Sequence, residues 1–502
     1  MLLTARQLLS FQRCHRQTYL DAFGDLQNKA EPSDFLTKLR QDKAQHQQEF
    51  LANYTYERPN YPARDWIAGA QATLELMQAG VEQIHRGVLR VESDIDLVSV
   101  AIPDLLTKVP GDSFFGGWQY VPTSIQLSKR PKLEYQLLAT FQAQVLADCQ
   151  GVWPEVAYLY LRERGWYTVD LEKNRPKLAD LLSELLTMLR QQQEPEAFIV
   201  NNRCSLCGWY EPCYAIAKSQ KHLSLIPGIT PSRYPILQAH NLTTTEAIAA
   251  IEPFDLQALT GFSKDVSVKM VHQAQAFVQD QPVTLALRPP GYDLPLPTAM
   301  VELYFDIEAE PSLNLAYLHG VLVINRQTQE QTFYPLLAQT PEEEQRVWED
   351  FLALVQRYPN APIFHFCAYE VQTVERLARL YDTPMPMIET LLERFVDLHI
   401  WVTKTVVLPI ESYTLKLIAR WIGFEWRNSE ANGAQSIYWY SQWLETCDRT
   451  FLETILIYNE DDCRATYAVK EWLTIFLEQQ ATSTNGQQPL ISDFATTDPH
   501  EI

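Results

Sequence analysis

"VELYFDIEAEP", residues 301–311, is an apolar run that carries two carboxylates within four residues. Its Val, Leu, Tyr, Phe and Ile residues are enriched in β-strands, so we expect a strand here. Side chains two residues apart on a strand leave the same face, and Asp306 and Glu308 could therefore bind shared cations. A D-x-E pair on a strand is more often a solvated surface, so the stretch predicts a site only together with other acids.

Two later stretches supply further candidate groups. "HFCAYE" places Glu370 soon after the apolar run "PIFHF", and "YNEDDC" places Tyr458 and Asp462 four residues apart, on one face of a predicted helix. Phosphodiester hydrolysis with two cations about 3.5–4 Å apart needs converging carboxylates. Mg²⁺ and Mn²⁺ prefer such oxygen ligands. Asp397, in "RFVDLHIW", is only an auxiliary candidate, because a helix-capping or surface role is more frequent for such an acid.

In this order, the three motifs resemble the DEDD exonuclease signature of the ribonuclease H-like superfamily. Asp306 and Glu308 correspond to the first motif, and Tyr458 and Asp462 to the third. Glu370 corresponds to the acid of the second motif, and the residues that precede it there match the motif's context; they are His365, Ala368 and Tyr369. Glu370 stands where aspartate is usual and is one methylene longer. The resemblance implies a 3′–5′ exonuclease in which the four carboxylates bind two Mg²⁺ or Mn²⁺ ions while Tyr458 orients the attacking water.

The chain of 502 residues is long enough for about three domains. Its patterns predict a mixed α/β domain at 1–215, a helical segment at 216–287 and, after a proline-rich linker at 288–297, a second α/β domain at 298–476. The ribonuclease H-like resemblance implies a mixed sheet in this last domain. Residues 480–502 are rich in polar residues and are predicted to be disordered. The predicted fold class is therefore α/β, in a multidomain chain.

Composition limits the functional classes. The chain has 46% hydrophobic and 21% charged residues, as in ordinary globular proteins, and no apolar run approaches the ~20 residues that span a bilayer. We therefore expect a cytoplasmic protein without membrane contact. Its net charge of −21 gives no whole-chain signature of nucleic-acid binding. Contact with DNA or RNA would need local basic patches or bound cations. The sequence does not indicate whether the chain has a protein partner.

Three cysteines stand at C-x2-C-x5-C spacing in "NNRCSLCGWYEPC", residues 201–213. Zinc and cubane iron–sulfur sites usually need four ligands, so this triplet is incomplete. Cys14, in "SFQRCHRQTYLDAFGD", is the candidate for the fourth. The remaining cysteines are isolated in the sequence and are expected to be small buried residues; they are Cys149, Cys367, Cys447 and Cys463.

One early cysteine followed by three late ones resembles the RecB-like nucleases that contain a 4Fe–4S cluster, including the CRISPR-associated ones. The resemblance implies that Cys14, Cys204, Cys207 and Cys213 bind such a cluster; zinc in the same four thiolates is the alternative. It also implies a PD-(D/E)xK nuclease fold for residues 1–215.

The catalytic set of such nucleases is incomplete here. Asp104 fits the first acid and His46 the upstream histidine, but Ser124 and Gln126 stand where the family has acid-x-Lys. The glutamine and tyrosine of the family's next helix correspond to Leu138 and Gln142. We therefore expect a degenerate nuclease domain that is retained for binding nucleic acid.

Two stretches are candidates for phosphate binding. Lys129, Arg130 and Lys132 form a basic cluster, for which a solvated loop is the alternative. "LIPGITPSR" resembles the hairpin of a helix-hairpin-helix module, in which backbone N–H groups around Gly228 would bind a phosphate beside Arg233. A simple helical linker with a Pro-Gly turn is the alternative for this stretch.

The order of these parts resembles a bacterial family of RecB-like nucleases with a C-terminal ribonuclease H-like domain. It predicts a metal-dependent nuclease, a 3′–5′ exonuclease on single-stranded or frayed DNA or RNA, with catalysis in the C-terminal domain. The alternative is a non-catalytic nucleic-acid-binding scaffold with an iron–sulfur cluster.

Overall fold

The computed structural model describes residues 1–93, 97–285, 291–292 and 295–483, without the side chains of 201, 202, 482 and 483. Most of the predicted tail and part of the proline-rich linker thus lie outside the described residues. The chain divides into two compact units, 1–197 with 201–216, and 198–200 with the residues from 217 onward. Both contain helices and sheets, which confirms the predicted multidomain α/β class. The division into three domains stays a prediction.

The strands of the first unit form two sheets. They are β1 (Leu2–Thr4), β2 (Gln83–His85), β3 (Leu89–Ser93), β4 (Leu97–Ala101), β5 (Leu105–Ser113), β6 (Gly116–Gln126), β7 (Ala157–Leu161) and β8 (Gly165–Val169). The larger sheet has the order β2-β5-β6-β7-β8 and the smaller one β1-β4-β3. Only β6 and β7 pair in parallel within the larger sheet, so a crossover connects them.

The helices of this unit pack on its two sheets and on one another. They are α1 (Ala5–Arg13), α2 (His15–Phe23), α3 (Asp34–Leu51), α4 (Trp66–Gln78), α5 (Leu133–Gln150), α6 (Leu171–Gln191), α7 (Asn201–Cys204) and α8 (Tyr210–Ser219), which continues into the second unit. The crossover helix α5 packs Phe141 and Leu146 into a core with Leu106 and Tyr120. This packing buries β6 almost continuously from Gln119 onward, as expected for a central strand.

The second unit begins with short helices. They are α9 (Tyr234–Ala239), α10 (Thr245–Ala250), α11 (Pro253–Thr260) and α12 (Lys264–Gln279). Leu237, Ile248, Leu256 and Val271, one from each helix, meet in one hydrophobic core. The turn before α9 contains Gly228 at φ +93°, a conformation that glycine adopts without strain.

The rest of the second unit is built on a five-stranded mixed sheet of order β12-β11-β10-β13-β14. The strands are β9 (Val283–Thr284), β10 (Val301–Glu310), β11 (Leu315–Asn325), β12 (Glu330–Leu337), β13 (Ile363–His365), β14 (Phe395–Asp397) and β15 (Val406–Val407). β10, β11 and β12 form an antiparallel meander, whereas β13 and β14 run parallel to β10. β9 and β15 pair separately.

Helices lie on both faces of this sheet. They are α13 (Glu344–Gln356), α14 (Tyr369–Leu380), α15 (Met385–Leu392), α16 (Leu398–Thr405), α17 (Leu415–Trp421), α18 (Gly433–Thr446) and α19 (Arg449–Ser483). Phe305 packs with Trp348 and Phe351 of α13 on one face. Tyr304 packs with Tyr467 and Leu473 of α19 on the other. Because strand side chains alternate, the even-numbered residues of β10 face α19.

Among the described residues, no helix combines the length and the apolar character needed to cross a bilayer.

Candidate metal centre

Three carboxylates meet between β10 and α19. Asp306 and Glu308 lie on the face of β10 that α19 covers, and Asp462 belongs to α19 itself. One oxygen of each carboxylate lies within 4.8 Å of the other two. Glu308 and Asp462 are buried, with 6% and 9% of their surface exposed. Three acids in such a space repel each other unless protons or a cation neutralise them. Their donor chemistry therefore fits a hard divalent cation.

Burial raises the pKa of each acid, and repulsion from neighbouring carboxylates raises it further. Burial raises the pKa of Asp306 well above its usual value, and the charges of Asp462, Glu308 and Glu370 raise it further. Burial, with the charge of Asp462, raises the pKa of Glu308 to about 8. Burial raises the pKa of Asp462 to about 7, although hydrogen bonds from Trp426 and Tyr458 oppose that shift. Without a cation, this carboxylate triad therefore retains protons near neutral pH.

Two neutral side chains orient the carboxylate triad. Asn459 Nδ2 donates a hydrogen bond of 2.7 Å to Asp306 Oδ2, and Trp426 Nε1 donates one of 2.7 Å to Asp462 Oδ1. Asn459 lies against Gly320 on β11, where a Cβ atom would stand only 1.7 Å from Asn459 Oδ1. Gly320 is thus the residue that leaves room for Asn459.

The helical position of each acid on α19 decides its role. Asp462 faces the sheet, whereas its neighbour Asp461 forms an ion pair of 2.8 Å with Arg427 Nε and accepts the Arg427 backbone N–H at 2.9 Å. Tyr458, one turn before Asp462, is half-buried. Burial, with the charge of Asp462, raises the pKa of the Tyr458 hydroxyl far above its usual value, so this hydroxyl remains a hydrogen-bond donor.

Residues 303–474 match the family model of the RNase H superfamily. No curated protein matches the chain. The matched range contains the mixed sheet, the carboxylate triad and most of α19, which supports the predicted RNase H-like domain at the C-terminus. An RNase H-like domain indicates a nuclease-type function and therefore contact with nucleic acid. Such domains typically hydrolyse phosphodiester bonds with divalent metals, which the carboxylate triad could bind.

Glu370, the remaining predicted ligand of the RNase H-like domain, does not belong to the carboxylate triad. It lies buried in the first turn of α14, where its Oε2 is 3.4 Å from His365 Nδ1. Its charge nevertheless raises the pKa of both Asp306 and Glu308. The turn before α14 has Cys367 at φ +81°, uncommon for a residue other than glycine. The role of Glu370 as a metal ligand stays a prediction.

Asp397 stabilises the same turn. Its Oδ1 accepts the backbone N–H of Cys367 at 3.1 Å and that of Ile400 at 3.2 Å, so it is the N-cap of α16. The capping role that the sequence favoured for this acid is therefore the one that the structure describes.

The four cysteines predicted to bind a cluster lie near one another in the first unit. Burial raises the pKa of the Cys207 thiol to about 11, and the thiols of Cys14, Cys204 and Cys213 raise it further. Cys14 is the N-cap of α2, where its Sγ accepts the Gln17 backbone N–H at 3.3 Å. None of the four is in a disulfide, and each has intermediate exposure. Cys14 thus lies near three cysteines that follow it by about two hundred residues in the sequence. The identity of the group that these four thiols bind stays a prediction.

Asp104, the acid expected in the degenerate nuclease site, is half-buried, and each of its carboxylate oxygens accepts a hydrogen bond from the protein. Its Oδ1 accepts from Gln47 Nε2 at 2.7 Å and its Oδ2 from the Ile125 backbone N–H at 2.7 Å. Ser124 donates to Gln142 Oε1 at 2.6 Å. The residue of α3 that contacts Asp104 is therefore Gln47, and the predicted His46 instead stacks on Tyr160. No sequence motif pointed to Gln47.

The predicted phosphate-binding residues are exposed, except for Arg233, which is half-buried. Lys129 forms an ion pair of 2.7 Å with Glu163, which reduces its capacity to attract phosphate, while Arg130 and Lys132 are exposed beside it. Arg233 donates a hydrogen bond of 2.7 Å to the Gly228 carbonyl, so these two residues form one turn. Phosphate binding at both places stays a prediction.

Proposed function

We propose that the protein is a metal-dependent nuclease whose C-terminal domain hydrolyses phosphodiester bonds. The carboxylate triad of Asp306, Glu308 and Asp462 is the observation that supports this function, because no packing role requires three acids, two of them buried, within 4.8 Å of one another. Bound Mg²⁺ or Mn²⁺ would activate a water molecule and stabilise the leaving oxygen.

Each residue of the site has a distinct role in this proposal. Asp306 and Glu308 hold the cations from the strand, and Asp462 holds them from the helix. Asn459 and Trp426 each donate to one carboxylate oxygen and so fix the orientation of the carboxylates. Tyr458 orients the attacking water, and Glu370 completes the ligand set from α14. The DEDD-like order of these motifs favours a 3′–5′ exonuclease on single-stranded or frayed ends.

In this proposal, the first unit binds nucleic acid and does not hydrolyse it. Its only acid at the expected position, Asp104, has both oxygens occupied by protein donors, and Ser124 and Gln126 offer neither a carboxylate nor a cation. Cys14, Cys204, Cys207 and Cys213 hold a 4Fe–4S cluster that links the ends of this RecB-like domain. Zinc in the same thiolates is the alternative.

A labelled-oligonucleotide assay tests the function. Single-stranded DNA and RNA with a 5′ fluorophore are incubated with Mg²⁺, with Mn²⁺ or with EDTA. We expect metal-dependent shortening in steps from the 3′ end, which a blocked 3′ terminus would prevent. Asp306→Asn should reduce the rate roughly a thousandfold or more, since a lost metal ligand removes several kcal/mol of transition-state stabilisation.

Asp382→Asn is the matched control, because it makes the same chemical change at an exposed acid of the RNase H-like domain outside the triad. Its activity should stay close to that of the wild type. Oligonucleotide binding without cleavage under any metal would contradict the nuclease and support a non-catalytic scaffold, which the position of Glu370 outside the triad favours.

A further inference from the structure

A cleft of about 470 Å³ lies within the second unit, on residues other than those of the metal centre. The turn at Pro227 and Gly228 and the first half of α12 contribute to it from the helical segment. The end of α16, β15 and Tyr413 contribute from the RNase H-like domain. We call it the Lys269 cleft. It is formed jointly by the two parts of this unit that the sequence places on either side of the proline-rich linker.

The lining of the Lys269 cleft is basic in a strongly acidic chain. Four cations line it, against the single carboxylate of Asp265; the cations are Arg233, Lys264, Lys269 and Lys404. Burial lowers the pKa of Lys269, and the charge of Lys404 lowers it further, so the two ammonium groups lie close together. Among the described residues, neither has a carboxylate within ion-pair distance. Like charges held in this way are stabilised by an anion.

Helix capping accounts for part of this arrangement only. Lys269 Nζ donates to the Thr403 carbonyl at 3.2 Å and Lys404 stands in the last turn of α16, both favourable at a helix C-terminus. That contact uses one of the three ammonium donors of Lys269. It also leaves Lys264 unexplained, because this cation is the first residue of α12, where the helix dipole disfavours positive charge.

The backbone around the cleft offers further groups for an anion. The N-terminus of α12, a helix of 16 residues, lies in the lining, and N–H groups of a first turn point out of a helix. Gly228 has no atom within 4 Å of the position that a Cβ would take, so its turn is open to a close approach. Apolar residues such as Val266 and Val406 complete the lining and could contact a sugar or a base.

We propose that the Lys269 cleft binds the phosphodiester backbone of a single nucleic-acid strand. The inference rests on the proposed function for its substrate class. A lone phosphate ion is much smaller than this cavity, and the cations are contributed by α12, α16 and the turn before α9, as suits a chain of phosphates. The Lys269 cleft would thus hold the strand at residues distinct from those that cut it.

Binding of fluorescein-labelled dT20 and rU20 by the full-length chain tests the proposal. All variants carry Asp306→Asn, so that binding is measured without hydrolysis. The double substitution Lys269→Gln with Lys404→Gln should weaken binding more than about tenfold at 50 mM salt. It should also reduce the slope of log affinity against log salt by roughly 1.4, or about 0.7 for each lost phosphate contact. Comparison of dT20 with rU20 distinguishes DNA from RNA.

Arg346→Gln with Arg379→Gln is the matched control. It removes the same charge at exposed cations of this unit that already form ion pairs with Glu343, Asp350 and Glu375. It should leave affinity and salt slope almost unchanged. Lys269→Arg with Lys404→Arg keeps both charges and should restore most of the binding, which separates loss of charge from misfolding.

Unchanged affinity and salt slope in the Gln double variant would overturn the proposal. So would an equal loss in the control, because the effect would then reflect net charge alone. The outcome is distinguishable from failure of the proposed function: a chain that binds through the Lys269 cleft but never cleaves contradicts only the nuclease. A chain that cleaves and is insensitive to these lysines contradicts only the cleft.

Discussion

Asn459 donates a 2.7 Å hydrogen bond to Asp306 across the interface between α19 and β10, and this contact depends on the missing side chain of Gly320. The amide leaves one Asp306 oxygen for a cation while it fixes the other. The strand and the helix are therefore joined at the metal centre by an uncharged hydrogen-bond donor and not by a charged side chain.

Gly320→Ala is expected to displace Asn459, because the new methyl group would stand 1.7 Å from Asn459 Oδ1. We predict a loss of about 1–3 kcal/mol in the free energy of unfolding, typical of overpacking, together with strongly reduced cleavage. Gly433→Ala, at a position where a Cβ meets no atom within 4 Å, is the control and should change neither quantity. Denaturant unfolding and the oligonucleotide assay measure both effects, and full activity in Gly320→Ala would refute the role of Asn459.

The raised pKa values predict how a cation affects stability. The folded chain holds protons on Glu308 and Asp462 that the unfolded chain releases near pH 4, so their contribution to stability is present at low pH. It is lost as pH rises through about 7 and about 8. A cation replaces these protons, and Mn²⁺ should therefore raise the Tm more at pH 8.5 than at pH 6.

Asp306→Asn should lack most of this Mn²⁺-dependent increase, and without metal it should be relatively more stable than the wild type at pH 8.5. Calorimetry of both proteins at the two pH values measures the difference. An equal effect of Mn²⁺ on the two proteins would show that the ion binds elsewhere.

Glu370→Asp tests the fourth acid. If Glu370 completes the ligand set, a side chain shorter by one methylene should lower the cleavage rate or change the preference between Mg²⁺ and Mn²⁺. We expect such a change, because its charge already acts on Asp306 and Glu308. Unchanged kinetics with both metals would limit the site to the three triad acids.

Cys14→Ser should remove the cluster and destabilise the first unit, since the binding energy of a structural metal site is largely folding energy. Iron and zinc analysis with a visible spectrum of anaerobically purified protein measures the loss. Cys447→Ser changes an exposed cysteine elsewhere and serves as the control. One equivalent of zinc in colourless wild-type protein would exclude iron but retain the four ligands.

Asp104→Asn is expected to leave cleavage unchanged, because the first unit does not hydrolyse phosphodiesters in our proposal. The asparagine can still accept the Ile125 N–H, so folding should be largely preserved. A large loss of cleavage by a folded Asp104→Asn protein would assign catalysis to the first unit.

Local periodicity predicted part of the candidate site. Alternation along a strand placed Asp306 and Glu308 on one face, and helical spacing placed Tyr458 beside Asp462. The sequence could not reveal Trp426, because a contact across 36 residues leaves no local pattern. Nor could it place Glu370, whose direction depends on a turn with a cysteine at φ +81°. The mixed sheet was predicted from the family resemblance, because the sequence of a single strand does not show the direction of its neighbours.

Trp426 and Arg427 are consecutive, and they bind the consecutive acids Asp462 and Asp461 of α19. Successive side chains of an α-helix point about 100° apart around its axis. Rotation of α19 in either direction would therefore break one of these contacts without improving the other. The loop after α17 therefore acts together with the sheet to set the rotation of the helix about its axis, and with it the direction of the Asp462 carboxylate.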